Sequence, residues 1–342
     1  MTPKRVIIPV FVPHAGCPND CVFCNQRRIS GALRPANEKD VREAIESARG
    51  KLRPGTPAEL AFYGGSFTAI PSGEQESLLR AALPFVRSGE ISSIRLSTRP
   101  DCVDEETAER LRSFGVTTVE LGAQSMCPEV LEASNRGHTP DDTRRAANLL
   151  KKEGFSLVLQ MMTGLPEDTP ERSKYTAREL IALAPDGVRI YPTVIVRDTE
   201  LYDMWKRGEY REHTVRDAVE LCAELVPMFS SAGIPIIRLG LNPTDDLSGG
   251  EAAAGAYHPA FGELVYSEIY RRKAAALLEG TAPGSDVVLG VAKGRIPLMV
   301  GQKRINITSL AGQFGLGSLK VRETDLPDGD VRVLSIDKSR EI

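Results

Sequence analysis

Cys17, Cys21 and Cys24 stand in the run Gly16-Cys17-Pro18-Asn19-Asp20-Cys21-Val22-Phe23-Cys24-Asn25, a Cys-x3-Cys-x2-Cys spacing. Three thiolates in so short a loop can each bind a separate iron of a cubic [4Fe–4S] cluster. Clusters that only carry electrons usually have four cysteine ligands. A vacancy at the fourth iron leaves it open to bind a reactant, as a catalytic zinc keeps an open position. The alternatives are a zinc site and structural thiols. A tetrahedral zinc wants a fourth His or Cys at a similar short spacing. His14 is near, but it precedes the loop.

The rest of the chain is ordinary soluble-protein material. Its 342 residues suit one large α/β domain and a small appendage. The hydrophobic fraction is 41% and the charged fraction 26%, both usual for a globular protein. A net charge of −3 gives no global pull toward nucleic acid or membrane. No leader sequence and no membrane-length apolar stretch are evident, so a cytoplasmic location with no membrane partner is expected. Six cysteines do not make a disulfide framework in so long a chain. Cys102, Cys127 and Cys222 read as buried or half-buried thiols.

The elements that must position the cysteines alternate. Strand-like runs stand at 6–12, 59–63, 93–97, 118–122, 156–161 and 187–191. Between them lie helical patterns at 38–49, 74–86, 105–114, 141–153 and 170–182. Such alternation means βα units and a parallel sheet. Six units predict a partial (β/α)6 barrel, TIM-like, over residues 1–242. In such barrels the functional residues sit at the C-terminal ends of the strands. The cysteines, Gly64-Gly65-Ser66, Arg99, Gln124 and Gly164 all fall there. No Gly-x-Gly-x-x-Gly follows the first strand, which disfavours a dinucleotide fold. A further helix is expected at 214–231 and a short strand at 235–240. Residues 243–256 read as a linker or mobile loop, 257–285 as a connecting helix, and 286–342 as a small α+β domain.

The cysteine spacing resembles that of the radical S-adenosylmethionine (SAM) superfamily. The resemblance implies that the open iron chelates the methionyl amine and carboxylate of SAM. It further implies one-electron cleavage of the sulfonium to a 5′-deoxyadenosyl radical. The strand-end residues then acquire candidate roles in cofactor binding. Phe23 can shield the cluster and pack on adenine, or simply anchor its loop. Gly64-Gly65 lets backbone pass close to a ligand. The superfamily often has Gly-Gly-Glu here, and Ser66 replaces the Glu, so that carboxylate contact is absent. Arg99 can hold the SAM carboxylate with its planar fork, or form a surface ion pair. Glu120 and Gln124 can bond the ribose hydroxyls or the amine, and Glu120 can equally face solvent. Gln160 and Arg189 are polar positions in apolar strands and need partners, of which a ligand is one. Tyr191 can face the substrate or the core. The four histidines carry no pattern, and His138 reads as a loop residue near the site.

Several blocks resemble one branch of that superfamily, the catalytic subunit of Elongator and its prokaryotic relatives. They are Phe62-Tyr63-Gly64-Gly65-Ser66-Phe67-Thr68, Thr98-Arg99-Pro100-Asp101, Val119-Glu120-Leu121-Gly122-Ala123-Gln124-Ser125, Asn135-Arg136-Gly137-His138-Thr139, Met161-Met162-Thr163-Gly164-Leu165-Pro166 and the block from Ile190 to Arg197. Tyr202-Asp203-Met204-Trp205 fits too. The branch implies action on tRNA. The Elongator subunit has a longer gap between its first two cluster cysteines and carries an acetyltransferase domain. Only about 85 residues follow the linker here, too few for that domain, so its carboxymethylation chemistry is not expected to carry over.

The appendage is read as strand 287–291, short helix or turn 293–300, loop Gly301-Gln302-Lys303-Arg304, helix 305–314, and strands 318–322 and 331–336. This order resembles a KH domain, whose Gly-x-x-Gly loop clamps a nucleic-acid backbone. Arg304 replaces the second glycine. From Lys293 to Arg322 there are six Lys or Arg and no Asp or Glu, a local excess that suits phosphate contact at Lys303 and Arg304. The alternative is a packing domain with a solvated basic face. The leading expectation is a radical SAM enzyme that uses a [4Fe–4S] cluster and SAM to modify RNA, tRNA above all, with ferredoxin or flavodoxin as electron donor. The other readings are a small-metabolite or tetrapyrrole enzyme, and a cluster-bearing RNA-binding or regulatory protein without turnover.

Overall fold

The computed structural model describes residues 6–12, 17, 20–24, 34–51, 55–241 and 250–338. His14 and the first half of the stretch 243–256 lie outside them. The chain forms two compact units, Met1–Thr214 with Met228–Tyr257, and Val215–Pro227 with His258–Ile342.

In the first unit, short apolar strands lie side by side in chain order. They are β1 (Val6–Val12), β2 (Ala58–Gly64), β3 (Ser93–Thr98), β4 (Val116–Gln124), β5 (Ser156–Thr163) and β6 (Gly187–Pro192). A three-residue strand, β7 (Val194–Val196), follows, and then β8 (Ile236–Leu239). The sheet order is β1-β2-β3-β4-β5-β6-β8, every pair parallel. The six-strand expectation is thus one short. The apolar run at 235–240 joins the sheet beside β6, with Val188 opposite Ile236. The result is a curled parallel half-barrel with helices on its outside.

Of the connecting helices Glu38–Arg49, Ser72–Arg87, Glu105–Ser113, Pro140–Lys152 and Pro170–Ala182, all but Ser72–Arg87, which follows Pro71, begin where the sequence supplies a side-chain cap. Asn37, Asp104, Thr139 and Thr169 each accept a bond from a first-turn N–H, satisfying donors that have no partner inside the helix. Strand side chains alternate between two faces. On one face Leu60, Phe62, Leu96, Leu121, Leu159 and Ile190 are fully buried. The opposite parity brings Glu59, Tyr63, Arg95, Glu120, Gln160, Arg189 and Tyr191 to the other face. Fully buried parallel strands usually read as continuous hydrophobic runs, so this polar parity marks the hollow of the half-barrel.

Two short helices went unread in the sequence, Pro128–Ala133 and Glu200–Lys206. A third unread element corrects the linker reading. Ala252–Gly255 is a strand, β9, paired antiparallel with β7 from Val194↔Gly255 to Val196↔Ala252. Its run of small residues resembles a linker in composition, and only the partner strand reveals it.

The second unit holds a three-stranded sheet of β10 (Ser285–Val291), β11 (Ser318–Glu323) and β12 (Val331–Lys338), in the order β11-β10-β12. β10 runs parallel to β11 and antiparallel to β12. The helix Phe261–Leu278, expected as a connector, is part of this unit's core. Tyr270, Ala274 and Leu278 are buried with Val287, Leu289, Met299 and Leu310.

Gly64 couples β1 to β2 at the end that leads into the cysteine loop. Its φ is +106°, and a Cβ there would lie 2.9 Å from the Val12 carbonyl oxygen, while Gly65 N–H donates to that same oxygen at 2.8 Å. Gly64→Ala is expected to cost about 1–3 kcal/mol, read as a lower denaturation midpoint. Gly73→Ala, at a helical site with nothing within 4 Å, should be neutral or slightly stabilising. Equal midpoints for the two variants would refute this account of Gly64.

Candidate functional site

The cysteine loop leaves the end of β1 and is fastened from several elements. Val22 N–H donates to Ser134 O at 3.1 Å, and Leu201 N–H donates to Val22 O at 2.7 Å. The Asn135 side-chain amide donates to Asp20 O at 2.8 Å. Cys24 N–H closes a turn onto Cys21 O at 2.9 Å. The two unread short helices therefore have a task, since their ends hold this loop. Phe23 is half-buried between two apolar clusters. One contains Cys127, Val130, Leu165 and Met162, the other Ile195, Leu201 and Trp205. Both anchor and shield readings suit that position.

Two arginines reach the cysteine sulfurs. Arg99 Nη1 lies 3.6 Å from Cys17 Sγ, and Arg136 Nη1 lies 3.5 Å from Cys21 Sγ. Arg99 is 2% exposed. Its Nε and Nη2 donate to the two Asp101 carboxylate oxygens at 2.9 and 3.0 Å, and Nη2 also donates to Arg136 O at 2.7 Å. Burial works against its charge, but Asp101 outweighs burial and raises its pKa. The fork expected for a SAM carboxylate is thus already filled by Asp101, the Arg136 carbonyl and Cys17. Arg136 is 8% exposed. Its Nη2 donates to Gly122 O at 2.8 Å. Gly122 sits where β4 bulges, and a Cβ there would lie 2.9 Å from that Nη2. Gln124, after the bulge, has φ +62°.

Ser66 turns inward. Its hydroxyl meets Thr98 Oγ1 at 2.9 Å and accepts from Arg99 N–H at 3.1 Å. It ties the loop after β2 to the end of β3.

Glu120 is not solvent-facing. It is 3% exposed and bridges two cations. Oε1 accepts from Arg95 Nη1 at 2.8 Å and from Arg189 Nη2 at 2.9 Å. Arg95 also pairs with Glu59, fully buried, at 2.6 Å. Arg189 donates to the Tyr63 and Tyr191 hydroxyls at 3.1 and 3.2 Å. Burial, and then the Glu120 carboxylate, push the Tyr63 hydroxyl up to about 12, so it stays a neutral donor. The partner that the polar residue Arg189 required is therefore protein. Gln160 Nε2 donates to Gln124 Oε1 at 3.2 Å, which brings those two predicted residues together at the C-terminal end of the sheet.

Glu59, Arg95 and Arg136 were missed by the sequence reading. The first two share the strand parity of Glu120 and Arg189, and that parity was the available signal. For Arg136 the signal was weaker, one arginine inside the Asn-Arg-Gly-His-Thr block. Lys303 and Arg304 lie in the second unit, exposed, on the turn between the helices Ile296–Val300 and Ile305–Phe314.

The comparisons with known proteins bear on this arrangement. The description "Radical SAM superfamily" matches residues 11–180, and "Radical_SAM C-terminal domain" matches residues 185–271. The chain belongs to the radical SAM superfamily. Among curated relatives, a tRNA uridine(34) acetyltransferase of Methanocaldococcus infernus is 32% identical over 255 residues, covering 63% of this chain and 48% of that protein. Elongator complex protein 3 of Schizosaccharomyces pombe is 31% identical over 270 residues, covering 65% and 49%. The chain thus spans about half the length of these relatives. A solved structure of M. infernus Elp3, lacking its N-terminus, has the same fold, with TM-score 0.62 at 23% identity over 83% of this chain and 70% of that one.

The radical SAM superfamily implies SAM and a [4Fe–4S] cluster. The residues fit such a group. No disulfide ties up any of the six cysteines. Two buried guanidinium groups aim N–H at two of the three loop sulfurs, and Arg136 Nε is buried with no acceptor among the described residues. Among those residues no three His, Cys, Asp or Glu gather as for a single metal ion. Cys102 and Cys127, by contrast, have thiols raised by burial, which suits inert structural positions. No helix among the described residues is long and apolar enough to cross a membrane.

His138, placed by sequence near the site, is 4% exposed. Its Nε2 faces Ala123 O at 3.2 Å, so Nε2 carries the hydrogen. Burial, and then Arg136, lower its pKa to about 3, against about 6.5 unfolded. The neutral ring contributes stability above pH 6.5 that is lost as pH falls toward 3. In that window its slope is about 1.4 kcal/mol per pH unit. His138→Gln keeps a donor for Ala123 and does not titrate. Between pH 7 and 5 its denaturation free energy should fall less than that of the unchanged protein. Parallel losses would show that His138 is not the group responsible.

Proposed function

We propose that this protein is a radical SAM enzyme that modifies RNA, with tRNA as its substrate. The observation that carries the radical half is the three-cysteine loop held at the mouth of a half-barrel, with guanidinium N–H groups on two of its sulfurs. When bound by Cys17, Cys21 and Cys24, a [4Fe–4S] cluster supplies the electron that cleaves SAM. Ferredoxin or flavodoxin is the class of donor that suits this.

The residues around the loop divide the remaining work. The Gly64-Gly65 backbone leaves room for the methionyl end of SAM. Gln124 and Gln160 offer amide groups to its polar atoms, and Phe23 offers an apolar surface to its adenine. Glu120 and Arg189 act one step back as the floor of the pocket, their charges spent on each other. Tyr191 reaches that floor at the substrate side. Glu59, Arg95, Glu120 and Arg189 fill the inner face of the half-barrel with paired charges, and a site with little room for water protects a reactive intermediate from side reactions.

The RNA half rests on two supports. Curated relatives named for tRNA uridine(34) or Elongator match this chain over about half their length. In the second unit a strand, two short helices and two strands follow one another, an order that resembles a KH domain, and Gly301–Arg304 is the turn between the two helices. Gly301 has φ +74°, and Lys303 and Arg304 have φ +51° and +62°, a region that L side chains adopt only at a cost of about 1–3 kcal/mol. Arg304 occupies the second glycine's place in the backbone shape that glycine favours.

The decisive assay is release of 5′-deoxyadenosine from SAM by the reduced, cluster-reconstituted protein. Its absence would sink the enzyme reading. Cys21→Ala should abolish release. Nucleoside mass profiles of tRNA, from cells with and without the protein, should then differ by at least one modified nucleoside. Identical profiles would favour a small-molecule substrate.

The turn has its own test. Lys303→Glu with Arg304→Glu should weaken tRNA binding at least tenfold and flatten its salt dependence by about two phosphate contacts. 5′-Deoxyadenosine release without RNA should be untouched. Unchanged affinity and salt slope would assign these residues to a solvated face.

A further inference from the structure

We infer that Arg136 is the uncompensated counter-cation of the cluster site, a positioning residue whose charge and N–H group at Cys21 set how readily the cluster accepts an electron. The inference rests on the radical SAM reading above and goes beyond it to a residue and a property.

Charge accounting leads there. Arg99 and Arg136 both point an Nη1 at a cysteine sulfur. Arg99 is neutralised in place by the bidentate Asp101 carboxylate. Arg136 forms no ion pair among the described residues. Its other hydrogen-bond partner is a peptide carbonyl, that of Gly122, and its buried Nε has no acceptor. A buried guanidinium without a counter-ion is costly, several kcal/mol even after relaxation. Nor does a nearby side chain relieve it. His138 is held neutral, and Arg99, whose own pair with Asp101 is complete, lies on its carbonyl side. What would balance Arg136 is an anion at Cys21. A four-iron cluster with three thiolates is net anionic, and more so by one charge after reduction. A fixed cation against one ligand sulfur therefore favours the reduced form, and hydrogen bonds to cluster sulfurs act in the same direction.

The neighbouring backbone reads as support for this one side chain. The β4 bulge and Gly122 leave the carbonyl and the space that Arg136 Nη2 uses. The Arg136 carbonyl is in turn held by Arg99 Nη2. Both guanidinium groups are thereby fixed relative to one another and to the two cysteines.

The test is an EPR-monitored redox titration of the reconstituted protein without SAM or RNA, with iron and sulfide content measured alongside. Arg136→Gln should make reduction about tenfold harder, a shift of about 59 mV to more negative potential for one electron. Arg136→Lys, which keeps the charge but not the fork, should fall between. Asp101→Asn should move the potential the opposite way, because it leaves Arg99 uncompensated. Opposite shifts at unchanged cluster content support the inference. Potentials equal to that of the unchanged protein overturn it. So does loss of the cluster from both Arg136 variants, which would make the residue a scaffold only. Failure of the unchanged protein to take up a four-iron cluster would instead refute the reading on which the inference rests.

Discussion

Four charged side chains meet inside the half-barrel, and their mutual neutralisation lets the hollow exist at all. Glu59, Arg95, Glu120 and Arg189 come from four different strands and sum to no net charge. Opening a parallel sheet on its inner face exposes backbone and side chains that would otherwise be covered. Filling that space with hydrocarbon would close the pocket. A ladder of alternating carboxylates and guanidinium groups fills it while leaving polar atoms at the rim. Such a pair is not a cheap source of stability, since desolvation consumes much of the attraction. Its value lies in register. Each rung spans neighbouring or next-neighbour strands, so a slipped strand would strand a buried charge.

The same logic separates two kinds of arginine. Arg95, Arg99 and Arg189 are paired with carboxylates and act as structure. Arg136 is not. Among the described residues Arg136 has no such carboxylate, and it lies against a cysteine of the candidate metal loop. The hydroxyl net of Ser66, Thr68 and Thr98 then ties the loop after β2 to the strand that carries Arg99 into position.

Much of the scaffold was legible in the sequence, for reasons that can be stated. The helices Glu38–Arg49 and Pro170–Ala182 were read to the residue because cap and periodicity agree there. The parallel order followed from the strict alternation of short β-branched runs with amphipathic helices. What escaped was pairing that leaves no local trace. The small residues of β9 form a strand only because β7 lies beside them. β8 is short and half exposed, and nothing in its own composition says that it extends the sheet. At the site, residue type identified Glu120, Arg189 and Arg99 correctly as unusual but not what they bind. A polar residue in an apolar strand announces that it has a partner. It does not announce whether that partner is a ligand or a side chain from a strand dozens of residues away, as Arg95 is for Glu59 and Glu120.

The fastening of the cysteine loop has a consequence for biosynthesis. Cys17, Cys21 and Cys24 lie N-terminal to six of the seven strands of the sheet and so are synthesised before them. Yet the groups that hold their loop, Ser134, Asn135, Arg136 and Leu201, are made long afterward. The nascent chain carries three exposed thiols with no pocket around them until most of the half-barrel has been synthesised. The fastening of the loop is therefore completed only once those downstream segments have been made and folded. The loop precedes its fastenings in the chain and depends on them for its shape.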